Sequence, residues 1–183
     1  MIGWCLVAAV VAAAVAIRVW QQLHKPHALA RAGAERRLAA LLDRHSVFLE
    51  LRDKLGETPL FHAAKYGELN TLSLLLKRGA NPNARCEGGG TALAMAAHFG
   101  YSDVVRALVA SGANIDAADD LGVTALHLAA ARGDAPTVRA LLELGADTHL
   151  QDRFGRAPRQ VAQQQGHAEV AALIDEFNPP PGT

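Results

Sequence analysis

Cysteine is scarce in this chain. Its 183 residues include two, Cys5 and Cys86, and these form no CxxC pair and no Cys/His metal spacing, which excludes a disulfide scaffold. Aromatic residues are scarce as well, at 5% against 50% hydrophobic, so the apolar content is Ala, Leu and Val. That balance favours helices with small contact faces over an aromatic-rich β-sandwich. An excess of one charge is also missing. Eighteen basic side chains cancel 18 acidic ones, so no uniform field draws in a nucleic-acid backbone, and binding to DNA or RNA is disfavoured.

Charge is wholly absent from Met1 to Ile17, where the sequence reads MIGWCLVAAVVAAAVAI before Arg18. A helix of about 20 residues spans about 30 Å, the thickness of a bilayer's hydrocarbon core. Residues 1–22 therefore read as an N-terminal transmembrane anchor, with Trp4 and Trp20 at the interfaces and Arg18 able to snorkel. Between Arg18 and Arg52 stand seven Arg or Lys against three acids, Glu35, Asp43 and Glu50. The positive-inside rule then places the rest of the chain in the cytoplasm as a single-pass protein. Two other readings stay open. Ala14-Val15-Ala16 is an A-x-A site for a cleaved signal peptide, which would make the remainder periplasmic or secreted, although the basic n-region is missing. The last reading is a buried helix of a soluble fold.

Beyond the anchor the sequence repeats. Thr58, Thr91, Thr124 and Ala157 are each 33 apart, preceded by Gly56, Gly89, Gly122 and Gly155 and followed by Leu60, Leu93, Leu126 and Arg159. Small pairs recur as Ala63-Ala64, Ala96-Ala97 and Ala129-Ala130, and further glycines as Gly67, Gly100, Gly133 and Gly166. Each threonine stands where its side-chain oxygen can cap a helix, and Pro59 follows at the first helical position. The glycines stand where the chain leaves that helix through a left-handed conformation. A second helix carries apolar residues such as Val104, Val105, Leu108 and Val109 and ends at Gly112. Such a helical hairpin cannot bury its own apolar faces and must stack on copies of itself.

The motif D-x-x-G-x-T-P-L-H-x-A-A at this period resembles the ankyrin repeat. It is matched by DKLGETPLFHAA from Asp53, CEGGGTALAMAA from Cys86, DDLGVTALHLAA from Asp119 and, loosely, DRFGRAPRQVAQ from Asp152. The resemblance implies an all-α solenoid with β-turn tips following the transmembrane helix, with copies at 53–85, 86–118, 119–151 and 152–177. A degenerate capping copy is expected over 26–52, because Leu41-Leu42 lies 33 before Leu74-Leu75. In the last copy Arg159 and Gln163 replace apolar residues where another copy would pack, as a terminal repeat requires. The tail 178–183 reads as disordered. The Ala- and Arg-rich composition suggests a bacterial origin.

No nucleophile, metal or phosphate motif is recognisable, so no enzyme, cofactor or metal site is expected. Gly88 to Gly90 lacks the following Lys-Ser/Thr of a phosphate loop and reads as a turn. Cys86 stands where other copies have aspartate, either as a reactive thiol or as a lone exposed or half-buried cysteine. The resemblance makes His127 a structural residue that hydrogen-bonds within and between turns. It also implies binding through the columns that the repeat leaves free, the turn tips and the open side of the first helices, which line a concave surface. Leu55, Leu121 and Phe154 share one such column, and Tyr66 and Phe99 another. With Lys65, Arg132 and Arg153 as a basic rim, they are expected to form a patch on a monomeric stack that receives a protein partner.

Overall fold

The computed structural model describes residues 25–44 and 46–177. Within them lie ten α-helices: α1 Lys25–Arg31, α2 Glu35–Arg44, α3 Pro59–Lys65, α4 Leu69–Lys77, α5 Ala92–Phe99, α6 Ser102–Ala110, α7 Ala125–Arg132, α8 Ala135–Glu143, α9 Pro158–Gln164 and α10 Ala168–Phe177. No strand is present among the described residues; an isolated bridge joins Arg85 to Thr91. The anchor expected over residues 1–22 and the tail at 178–183 lie outside the described residues. Among the described residues no helix is long and apolar enough to cross a membrane.

Local chemistry starts and stops each first helix. Thr58, Thr91 and Thr124 adopt extended backbone, and their hydroxyls accept from the N–H groups of Phe61, Ala94 and His127. Such a cap contributes about 1 kcal/mol. Ala157 has no hydroxyl; there the Gln160 side chain reaches back to accept from the Ala157 N–H at 2.8 Å. At the exit, Gly67 and Gly133 hold φ of 71° and 74°, which a side chain would strain. A second constraint comes from the neighbouring copy. A Cβ on Gly67 would lie 2.8 Å from the Tyr101 ring, and one on Gly133 would lie 2.5 Å from His167. The same glycine thus reverses the chain and lets the next copy dock.

Stacking follows from two buried columns. Ala30, Ala63, Ala96, Ala129 and Ala162 stand 33 apart and are all 0% exposed. Ending at Cβ, they let α1, α3, α5, α7 and α9 pack directly on one another in one row. Leu42, Leu75, Leu108, Leu141 and Ile174, at the same spacing, run as a buried seam through the second row, α2, α4, α6, α8 and α10. Each such leucine contributes about 1.5–3 kcal/mol on burial. Both columns extend into α1 and α2, so the helix pair before Asp53 shares the register of the four copies that follow.

The far end closes differently. Arg159 stands where earlier copies have leucine, and its guanidinium pairs with Asp175 on α10 at 2.6 Å. Gln163 is exposed beside it and receives a second Arg159 hydrogen bond at 3.2 Å. The outer face of α9 and α10 therefore presents Arg159, Gln163 and Asp175 in columns that are leucine, alanine, and leucine or valine in the earlier copies.

Candidate binding surface

The turn tips are built from one aspartate per copy. In the first, third and fourth copies the Oδ1 of Asp53, Asp119 and Asp152 accepts from the N–H groups two and four residues on. This satisfies the backbone of a tight turn from inside and turns the intervening side chain outward. Leu55, Leu121 and Phe154 are those side chains, 55%, 43% and 65% exposed. Adjacent tips are joined by backbone bonds: the Glu87 N–H donates to Leu55 at 2.9 Å, Asp120 to Gly88 at 3.1 Å and Arg153 to Leu121 at 2.8 Å. The tips thus form a continuous edge.

In the second copy Cys86 cannot play the aspartate's part. The chain there takes a short 3-10 turn, Glu87–Gly89, with Gly88 and Gly89 both at positive φ. The glycine run is thereby explained as a turn. A side chain on Gly89 would collide with Asp120 and Arg85. Burial, with the Glu57 carboxylate adding to it, pushes the Cys86 thiol's pKa up, so the group is held as a thiol and is not activated as a nucleophile.

Tyr66 follows α3 as its C-cap and Phe99 ends α5; they are 40% and 36% exposed. The Arg31 guanidinium lies over the Tyr66 ring, 5.2 Å from its centre. Phe99 stacks on Tyr101 at 6.3 Å and meets His98 edge-on at 4.9 Å. Phe154 lies between Arg153 and Arg156, at 5.0 and 4.9 Å. No ring contact joins Tyr66, Phe99 and Phe154 to one another among the described residues. Of the expected basic rim, Arg132 is exposed and Arg153 leans on Phe154. Lys65 is committed inward: its ammonium is 3.2 Å from the buried carboxylate of Glu57 and sits over the Phe61 ring.

These columns repeat a known unit. A family model described as "Ankyrin repeats (3 copies)" matches residues 27–119, and another, "Ankyrin repeats (many copies)", matches residues 108–162. The chain belongs to the ankyrin-repeat family. It is also similar to the ankyrin repeat protein nuc-2 of Neurospora crassa, at 42% identity over 62 residues. That match takes in 33% of this chain and 6% of the relative, so the chain corresponds to a small part of that protein. Ankyrin repeats are in general interaction modules rather than enzymes.

His127 illustrates why. Its Nε2 faces the Arg156 carbonyl at 2.9 Å and so carries the ring proton, while Nδ1 accepts from the Thr124 hydroxyl at 2.8 Å. Burial of this ankyrin histidine lowers its pKa, keeping the ring neutral. Every donor and acceptor it has goes to capping and stacking, which leaves none for catalysis.

One cluster escaped the sequence reading. His27 on α1, Asp53 at the first tip and His62 on α3 each bring a ligand-capable atom within 4.8 Å of the others. Glu57 lies beside them, its Oε2 3.2 Å from His62 Nε2. The usable signal was His62 itself, since the other ankyrin copies carry Met95, Leu128 and Val161 at that place.

Proposed function

We propose that this ankyrin stack is a protein-binding adaptor tethered to a membrane through residues 1–22, with its repeats in the cytoplasm. The observation that carries the binding role is the exposure of Leu55, Tyr66, Phe99, Leu121 and Phe154 in columns where the repeat demands nothing apolar. On a scaffold whose repeat-column leucines Leu60, Leu93 and Leu126 are each 1% exposed, five outward apolar side chains on the open columns fit a surface that is covered in use. Arginines already lie against Tyr66 and Phe154, so the partner would meet rings backed by cations, the composition of interface hot spots. The patch lies on the concave side of a monomeric stack in this reading, with Arg132 and Arg153 at its rim.

The test is the triple substitution of Tyr66, Phe99 and Phe154 by serine in the full chain. The expected outcome is loss of the partner that co-purifies with the parent. Exposed positions contribute within about 0.5 kcal/mol each, so the melting temperature should move by no more than a few degrees. A larger drop would assign the rings to the core.

Ala14-Val15-Ala16 favours a second reading, in which the stack is exported and protects or neutralises a target on the far side. Protease added to intact cells or spheroplasts separates the two. Protection of the repeats fits the adaptor, and digestion fits the exported form.

A further inference from the structure

We propose that His27, Asp53, Glu57 and His62 form a binding site for a divalent transition-metal ion of the zinc type, which clamps the first helix pair onto the first full repeat. Three elements converge there. His27 projects from α1, Asp53 and Glu57 flank the first tip, and His62 projects from α3.

Burial sets this cluster apart from surface acid groups. His27 is 7% exposed and Glu57 6%. His27 Nε2 donates to the carbonyl oxygens of Glu57 at 2.9 Å and Leu51 at 3.0 Å. Because both partners are acceptors, the ring proton is on Nε2, and Nδ1 is a bare lone pair buried with no hydrogen-bond partner. A ligating imidazole has this arrangement, its other N–H held by a backbone carbonyl. His62 stands edge-on to that ring, 5.1 Å between centres, and offers Nε2, the nitrogen that faces the carboxylates.

His62 already stands at coordination spacing from both carboxylates. His62 Nε2 is 3.0 Å from Asp53 Oδ2 and 3.2 Å from Glu57 Oε2. Ligands about 2.0–2.1 Å from a tetrahedral zinc stand about 3.3 Å apart. The His62 Nε2 proton now serves two carboxylates; a divalent ion in its place would meet both, and the neutral ring would then carry its proton on Nδ1. Other contacts hold the second oxygens. Asp53 Oδ1 accepts the tip N–H groups, and Glu57 Oε1 takes Lys65 at 3.2 Å. The ion's two charges cancel those of Asp53 and Glu57, and Lys65, partly open to solvent, keeps its own. Two imidazoles with carboxylates suit zinc better than calcium or magnesium. His62 and Asp53 side chains are 13% and 21% exposed, which leaves an entry path.

The other copies supply an internal comparison. Asp152 makes the same turn bonds through Oδ1 as Asp53 does, but its Oδ2 is met by Arg156, in the column of Glu57. The column of His62 is otherwise Met95, Leu128 and Val161. Stacking thus requires neither Glu57 nor His62, and both stand in one copy beside a histidine of the preceding helix pair.

The experiment uses the untagged full chain, stripped with a chelator, dialysed and titrated with zinc chloride. The expected result is one equivalent bound and a melting temperature higher by several degrees at zinc about 100-fold above its Kd. Cobalt(II) in place of zinc should give the visible absorption of a four-coordinate ion. Asp53→Asn, which keeps the Oδ1 turn bonds, and His62→Gln should each weaken zinc by at least about 100-fold, while the exposed His98→Gln should not. Folding of each variant is checked in chelator by circular dichroism. The unsubstituted chain with and without zinc is a readout that no folding defect can confuse. Failure of that chain to bind zinc at micromolar concentration overturns the proposal, as does undiminished binding by both ligand variants.

Discussion

Replacing His127 measures how strongly one ankyrin turn is coupled to the next. In His127→Ala the buried Thr124 N–H loses the Nδ1 acceptor it now has at 3.3 Å. The Arg156 carbonyl loses one of two donors and keeps the Asp152 N–H at 3.0 Å. A stranded buried donor costs about 1–3 kcal/mol, and the lost ring packing adds to it, for a total of about 2–4 kcal/mol. His127→Gln separates the two halves of that loss. Gln160 occupies the same column in the fourth copy and accepts from the Ala157 N–H at 2.8 Å, so glutamine should keep the bond within the turn. Only the reach to Arg156 is then given up, at about 0.5–1.5 kcal/mol. With a urea slope of about 2 kcal/mol/M, the midpoint followed by circular dichroism should fall by about 1–2 M for alanine and by less than about 0.8 M for glutamine. An unchanged alanine variant would refute the structural role of the ring, and equal losses would refute the division between capping and stacking.

Acid should weaken the stack in two steps. Burial lowers the pKa of His27, with the His62 ring adding to it, and that of His127 below the ordinary 6.5. The unfolded chain then binds protons that the folded chain refuses, so stability present above pH 6.5 declines as pH falls through that value. For Asp152 burial opposes ionisation, but the Arg156 guanidinium and the N–H groups of Arg156 and Phe154 outweigh it and hold the pKa at about 2 against 3.8. Its contribution is present above pH 3.8 and is lost as pH falls towards 2; Asp53, also lowered, adds to the same step. Urea midpoints that stay level from neutral pH to about pH 5 would contradict the first step. Two glycines test the docking of neighbouring copies. Gly145, at φ 89°, has nothing within 4 Å of an added Cβ, so Gly145→Ala should cost only the backbone strain of about 1–2 kcal/mol. Gly133→Ala adds the collision with His167 and should unfold at clearly lower urea; equal midpoints would mean that the ring moves aside freely.

The start and stop of each helix were legible because they are local. Thr124 caps a helix three residues on and Gly133 turns the chain within one step, so both leave their mark at fixed places in the 33-residue period. The polar exchange at Arg159 was legible for the same reason, as a departure from a column. The inward commitment of Lys65 was not, because its register places it on the open side of the helix and only the fold shows Glu57 buried within 3.2 Å.

By itself, then, the sequence determined the repeat unit, its direction, its buried alanine and leucine columns and the positions left free to vary. Tertiary structure alone decided which of those free positions face one another. Asp53 and His62 lie within one copy, but His27 belongs to the helix pair before it, 35 places from His62 and so outside the 33-residue period. Periodicity reports what each copy shares with the next, whereas the cluster arises from residues that the copies do not share, brought together by the stacking of α1 on α3.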